Sequence, residues 1–73
     1  MSDMLLIQEK VSEWWNPMTG YDKNYYVRHY EGGTVPVAAL TEGAVIRLYF
    51  KVFEKLSPQQ ALKKYHDLFN NPH

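Results

Sequence analysis

A chain of 73 residues has room for one domain, and at that length it buries only about 60–65% of its unfolded surface, which leaves a net stability of about a few kcal/mol. Its formal net charge of zero excludes a general nucleic-acid coat protein, which would be far more basic. The absence of cysteine excludes a disulfide staple, a thiolate nucleophile and a zinc–thiolate site, and no apolar run reaches the roughly 18 residues that a membrane span needs. A soluble, cytoplasmic protein is therefore expected. Met4-Leu5-Leu6-Ile7 is too short for a signal-peptide core and has no basic region before it.

In chain order, Ser2-Asp3 is a candidate cap for a first helix over MLLIQEKVSEWW that ends before Asn16-Pro17. Leu5, Val11, Trp14 and Trp15 form a ragged apolar side, and the N-terminal segment is the part of the domain where order is least expected. Asn16-Pro17-Met18-Thr19-Gly20 reads as a turn. Tyr25, Tyr26, Val27 and Tyr30 are strand formers, Glu31-Gly32-Gly33 is a hairpin-type turn, and Thr34-Val35-Pro36-Val37 then runs back. Pro36 cannot donate to a ladder, so the second strand is short or lies at an edge. Alternatively, Pro36 opens the next helix early, with Val37, Ala38 and Ala39 in its first turn.

The stretch AVIRLYFKVFEKL carries two patterns. Arg47, Lys51, Glu54 and Lys55 share one helical face, yet Ile46, Leu48, Phe50 and Val52 alternate with Arg47, Tyr49 and Lys51 as in a strand. Length and the lack of a turn signal before Leu56-Ser57 favour a helix, capped by Thr41. Gly43 in its first turn costs about 1 kcal/mol against alanine. The clearest signal follows. Ser57 as N-cap, Pro58 at the first helical position and Gln60 closing a capping box predict a helix over 58–69, with Ala61, Leu62, Tyr65, Leu68 and Phe69 at helical spacing. Asn70-Asn71-Pro72-His73 is a stop and a loose end.

Together these elements predict a small α+β domain over residues 1–73: a short β-hairpin near 24–38, two C-terminal α-helices packed antiparallel, and a candidate N-terminal helix. If 45–53 is a strand instead, the fold becomes a small sheet covered by the last helix. Phe50, Phe53, Leu62 and Leu68 are the expected core.

Charge is unevenly spread. Residues 1–43 hold Asp3, Glu9, Glu13, Asp22, Glu31 and Glu42 against Lys10, Lys23 and Arg28, a balance of −3; residues 44–73 hold Arg47, Lys51, Lys55, Lys63 and Lys64 against Glu54 and Asp67, a balance of +3. Such a split can orient a partner at encounter.

Candidate chemistry is sparse. His29, His66 and His73 form no i, i+4 pair, so no metal site is expected. His66 and Asp67 are helix neighbours whose side chains diverge by about 100° and cannot act together. Ser57 is explained as a cap, and Gly32-Gly33 lacks the surroundings of a phosphate loop. No catalysis and no cofactor are expected. The unusual feature is aromatic: Trp14, Trp15, Tyr21, Tyr25, Tyr26 and Tyr30 crowd into seventeen positions with Arg28 among them. Tryptophan, tyrosine and arginine dominate binding hot spots, because they offer large apolar area and a polar tip at little entropic cost. The competing use for these rings is the core itself. A protein-binding surface built from these seven residues is the leading expectation.

Two resemblances bear on the partner. Gly33-Thr34, Pro36-Val37 and Ser57-Pro58-Gln59-Gln60-Ala61-Leu62, with Tyr65 and Leu68, resemble fragments of a small antitoxin-like helical family over about half the chain. That resemblance implies a helix-turn-helix-like DNA contact, for which Gln59, Gln60, Lys63 and Lys64 on the last helix would supply base and phosphate contacts. In size and character, the neutral, cysteine-free, aromatic-rich chain is similar to short phage proteins that bind bacterial RNA polymerase. This resemblance implies a non-catalytic regulator that inhibits initiation or suppresses termination. It is the first expectation; the DNA reader is the second.

Overall fold

The computed structural model describes residues 3–32 and 35–69, and they form four helices: α1 (Asp3–Trp15), α2 (Gly20–Glu31), α3 (Glu42–Phe53) and α4 (Pro58–Phe69). A 3-10 turn, Val37–Ala39, lies between α2 and α3. No strand occurs among the described residues, so the α+β fold with a hairpin is corrected to an all-helical one.

The residues expected to form the first strand lie inside α2, and local chemistry explains why. Thr19 takes the N-cap, its hydroxyl accepting from Asp22 N at 3.2 Å. Asp22 in the first turn, with Arg28 and His29 in the last, suits the helix dipole. Gly32 is the C-cap with φ +84°, so the glycine read as a hairpin turn stops a helix instead. Gly33 and Thr34 lie outside the described residues, as do Ser2 and the tail from Asn70. Pro36 follows the alternative reading in shortened form: it precedes Val37–Ala39, which close as a 3-10 turn separate from α3.

α3 is the centre of the molecule. Thr41 caps it, accepting from Ala44 N at 3.1 Å, and Val45, Ile46, Leu48, Phe50, Lys51 and Val52 are all buried. One side packs Val45, Ile46 and Phe50 with Val11 of α1 and Ala61 of α4; the other packs Leu48 and Val52 with Val27 of α2. A helix covered on both sides needs apolar residues around most of its circumference, which is why its sequence also alternates like a strand.

α4 runs back along α3. Lys64 meets Glu54 near the connection, whereas Tyr65 reaches Arg47 and Gly43 towards the start of α3. Its capping box is formed in both directions, with Ser57 Oγ accepting from Gln60 N at 3.2 Å and Gln60 Oε1 accepting from Ser57 N at 2.9 Å. A cap of this kind stabilises by about 0.5–2 kcal/mol.

The expected core is half right. Phe50 is fully buried and Leu68 packs against the core beside it. Phe53 and Leu62 are corrected to exposed positions, at 52% and 45%. Phe53 is the last residue of α3 and leans on Tyr49 and Trp14 from outside, while the α4 stripe that faces inward is Ala61, Lys64, Tyr65 and Leu68, one position off Leu62.

Candidate functional site

α2 divides its side chains between two faces at helical spacing. Lys23, Tyr26, Val27, Tyr30 and Glu31 point inward and are buried or half-buried; Tyr21, Asn24, Tyr25, Arg28 and His29 point outward and are exposed. Both faces carry aromatic rings, so no single apolar stripe exists, and this is what hid the helix from a periodicity argument.

The seven residues expected to bind a protein therefore fall into two groups. Trp14, Trp15, Tyr26 and Tyr30 are half-buried and pack against the core of Val27, Leu48 and Val52. Trp14 meets Tyr26 edge-on at 5.4 Å and Tyr49 at 5.7 Å, and Lys23 Nζ stands 5.2 Å from the Trp15 ring. These rings join α1, α2 and α3, and their first use is packing. Tyr21, Tyr25 and Arg28 form the second group, with Tyr21 83% and Tyr25 56% exposed. Tyr25 stacks on His29 at 5.7 Å with an interplanar angle of 8°, so the two rings lie nearly parallel.

That outward face lines an open groove of about 840 Å³, completed by Val35 and Pro36 from the segment after α2. Asn24, His29, Val35 and Pro36 are additions that sequence reasoning did not select. Once Tyr21 and Tyr25 sit on a helix, Asn24, Arg28 and His29 follow at i+3, i+7 and i+8 from Tyr21, so the signal was present in the spacing. Val35 and Pro36 reach the groove through chain topology, which no local pattern carries.

The residues of the alternative DNA surface lie on α4 and are largely engaged. Gln60 is held in the capping box, Lys63 pairs with Asp67 at 2.9 Å, and Lys64 pairs with Glu54 and lies over the Phe50 ring at 4.8 Å. Gln59 is exposed. Among the described residues no group of three His, Asp or Glu side chains is placed to hold a metal ion, and no helix is long and apolar enough to cross a membrane.

Compared with known proteins, the chain matches no family model, no curated protein and no solved structure.

Proposed function

We propose that this chain is a non-catalytic regulator that works in the cytoplasm by binding a larger protein, and that the outer face of α2 is its contact surface. The observation that carries the reading is the exposure of Tyr21 and Tyr25 beside Arg28 on a helix whose opposite face anchors it to the core. Two tyrosines left in water on a helix held by the core offer large amphipathic area with only two side-chain torsions each to fix on binding, which suits a binding hot spot. The resemblance to short phage proteins makes bacterial RNA polymerase the first partner to test, with inhibition of initiation or antitermination as the consequence.

The runner-up remains a DNA reader using α4. Ion pairing of Lys63 and Lys64 within the chain weakens it, since each phosphate contact would have to displace an existing carboxylate. A titration of the labelled chain with RNA polymerase, and separately with duplex DNA at two salt concentrations, distinguishes the two. Saturable polymerase binding that weakens in Tyr25→Ala is the expected result. Tight DNA binding that falls steeply with salt and depends on Gln59 and Lys63 would replace it with the DNA reading.

A further inference from the structure

The groove on α2 has a definite chemical character. Among the described residues its lining holds a guanidinium, an imidazole, two phenol hydroxyls and an amide, together with the apolar surface of Val35 and Pro36, and no carboxylate. Neither acid of α2 is among the lining residues: Asp22 is exposed in the first turn, and Glu31 is tied to Lys51 on the inward side. Among the described residues the ion pairs are Lys51–Glu31, Lys63–Asp67 and Lys64–Glu54, and Arg28 takes part in none of them. A cationic side chain thus stands in a groove free of carboxylates, within a half of the chain that is otherwise net acidic.

Resting on the protein-binding reading, we infer that this groove takes an acidic segment of the partner: a short stretch in which Asp or Glu stands about 10 Å from a leucine or aromatic side chain. The spacing follows from the helix, since Tyr21 and Arg28 are seven residues apart and each adds about 1.5 Å along the axis. The carboxylate pairs with the Arg28 fork, which suits two parallel hydrogen bonds. The apolar side chain lies against Tyr21, Tyr25 and Pro36, and the Asn24 amide and the tyrosine hydroxyls satisfy backbone groups of the segment. A nucleic-acid strand also offers anions. It requires several neutralised phosphates in a row, however, and among the described residues Arg28 is the only lysine or arginine in the groove lining.

The test is selection from a displayed library of random peptides on the intact chain, on Arg28→Glu and on Tyr25→Ala, each variant first shown to keep its helical circular dichroism and its melting transition. The intact chain enriches peptides that combine Asp or Glu with Leu or an aromatic residue, and Arg28→Glu shifts the enrichment to Lys and Arg. A synthetic copy of the best peptide binds about tenfold more weakly to Arg28→Glu, and changing its acid to the amide weakens binding to the intact chain but strengthens it on that variant, where it removes a like-charge repulsion. Enrichment that depends on Tyr25 but carries no acidic excess overturns the inference while leaving the α2 surface in place. Peptides indifferent to both substitutions, or no enrichment at all, overturn the inference and the surface together. Arg28-dependent binding of a single-stranded oligonucleotide in place of any peptide would assign the groove to nucleic acid instead.

Discussion

At Gly43 the first turn of α3 has no side chain because Tyr65 of α4 occupies the space. A Cβ placed there would stand 2.7 Å from the Tyr65 hydroxyl oxygen and 3.0 Å from its Cζ. The ring cannot easily yield: Phe69 stacks on it at 4.8 Å and the Arg47 guanidinium lies 5.2 Å from its centroid. Helix propensity alone ranks Gly43→Ala as a gain of about 1 kcal/mol. Overpacking reverses the sign, and we expect Gly43→Ala to lose about 1–2 kcal/mol in chemical denaturation. Tyr65→Phe, which removes the closest atom, should recover part of that loss in the double variant. A Gly43→Ala protein that melts higher than the parent would show that α4 does not sit this close to α3. The glycine was legible in the sequence only as a defect. Its use depends on a contact across 22 positions that no local window contains.

At the scale of elements, the connection between α3 and α4 turns without a glycine. Lys55 takes the left-handed conformation, with φ 57°, and Glu54 N donates to Phe50 O at 3.0 Å while Leu56 N reaches the same carbonyl at 3.5 Å. This is the helix ending that normally favours glycine, with Leu56 folding back onto the core. Lys55→Gly should therefore stabilise the domain by about 0.5–1 kcal/mol, visible as a higher melting temperature. A lower one would mean that the lysine side chain contributes more than its backbone strain costs. The helices α1, α3 and α4 were legible for different reasons. α4 has an unambiguous cap, α3 has length and Thr41, and α1 has the Asn16-Pro17 stop. α2 was not legible. Tyr25, Tyr26, Val27 and Tyr30 have strand propensity, the rings divide between two faces, and Gly32 serves a helix end as readily as a hairpin. Its cap, Thr19, stands in a stretch, Asn16 to Gly20, whose composition is that of a turn.

At the scale of the molecule, α2 is fastened to α3 by a few buried groups and one ion pair. Lys51 is only 8% exposed, and its ammonium meets the Glu31 carboxylate at the end of α2. Removing the acid alone leaves a buried charge without its counter-ion, so Glu31→Gln should cost about 1–3 kcal/mol, while Lys51→Met with Glu31→Gln should recover most of it. Equal losses in the single and double variants, measured by denaturation, would mean that the pair is not coupled. The same architecture decides how far the candidate site could be read in advance. Trp14, Trp15, Tyr26 and Tyr30 belong to the aromatic cluster visible in the sequence, and the fold packs them between helices. Tyr21, Tyr25 and Arg28 belong to the same cluster, and the fold leaves them on the surface. Composition identified the residues; which of them face water depended on the inward face of α2, set by Val27 against Leu48 and Val52.

The central claim is that the outer face of α2, and not the face of α4, meets the partner. Site-specific photo-crosslinking in bacterial cells tests it most directly, with a photoreactive amino acid placed at Tyr25 in one variant and at Gln59 in another. Both positions are exposed, so neither substitution disturbs the core. The account predicts a discrete protein adduct from position 25, lost when Arg28→Glu is added, and none from position 59. A protein or nucleic-acid adduct formed from position 59 alone would contradict it.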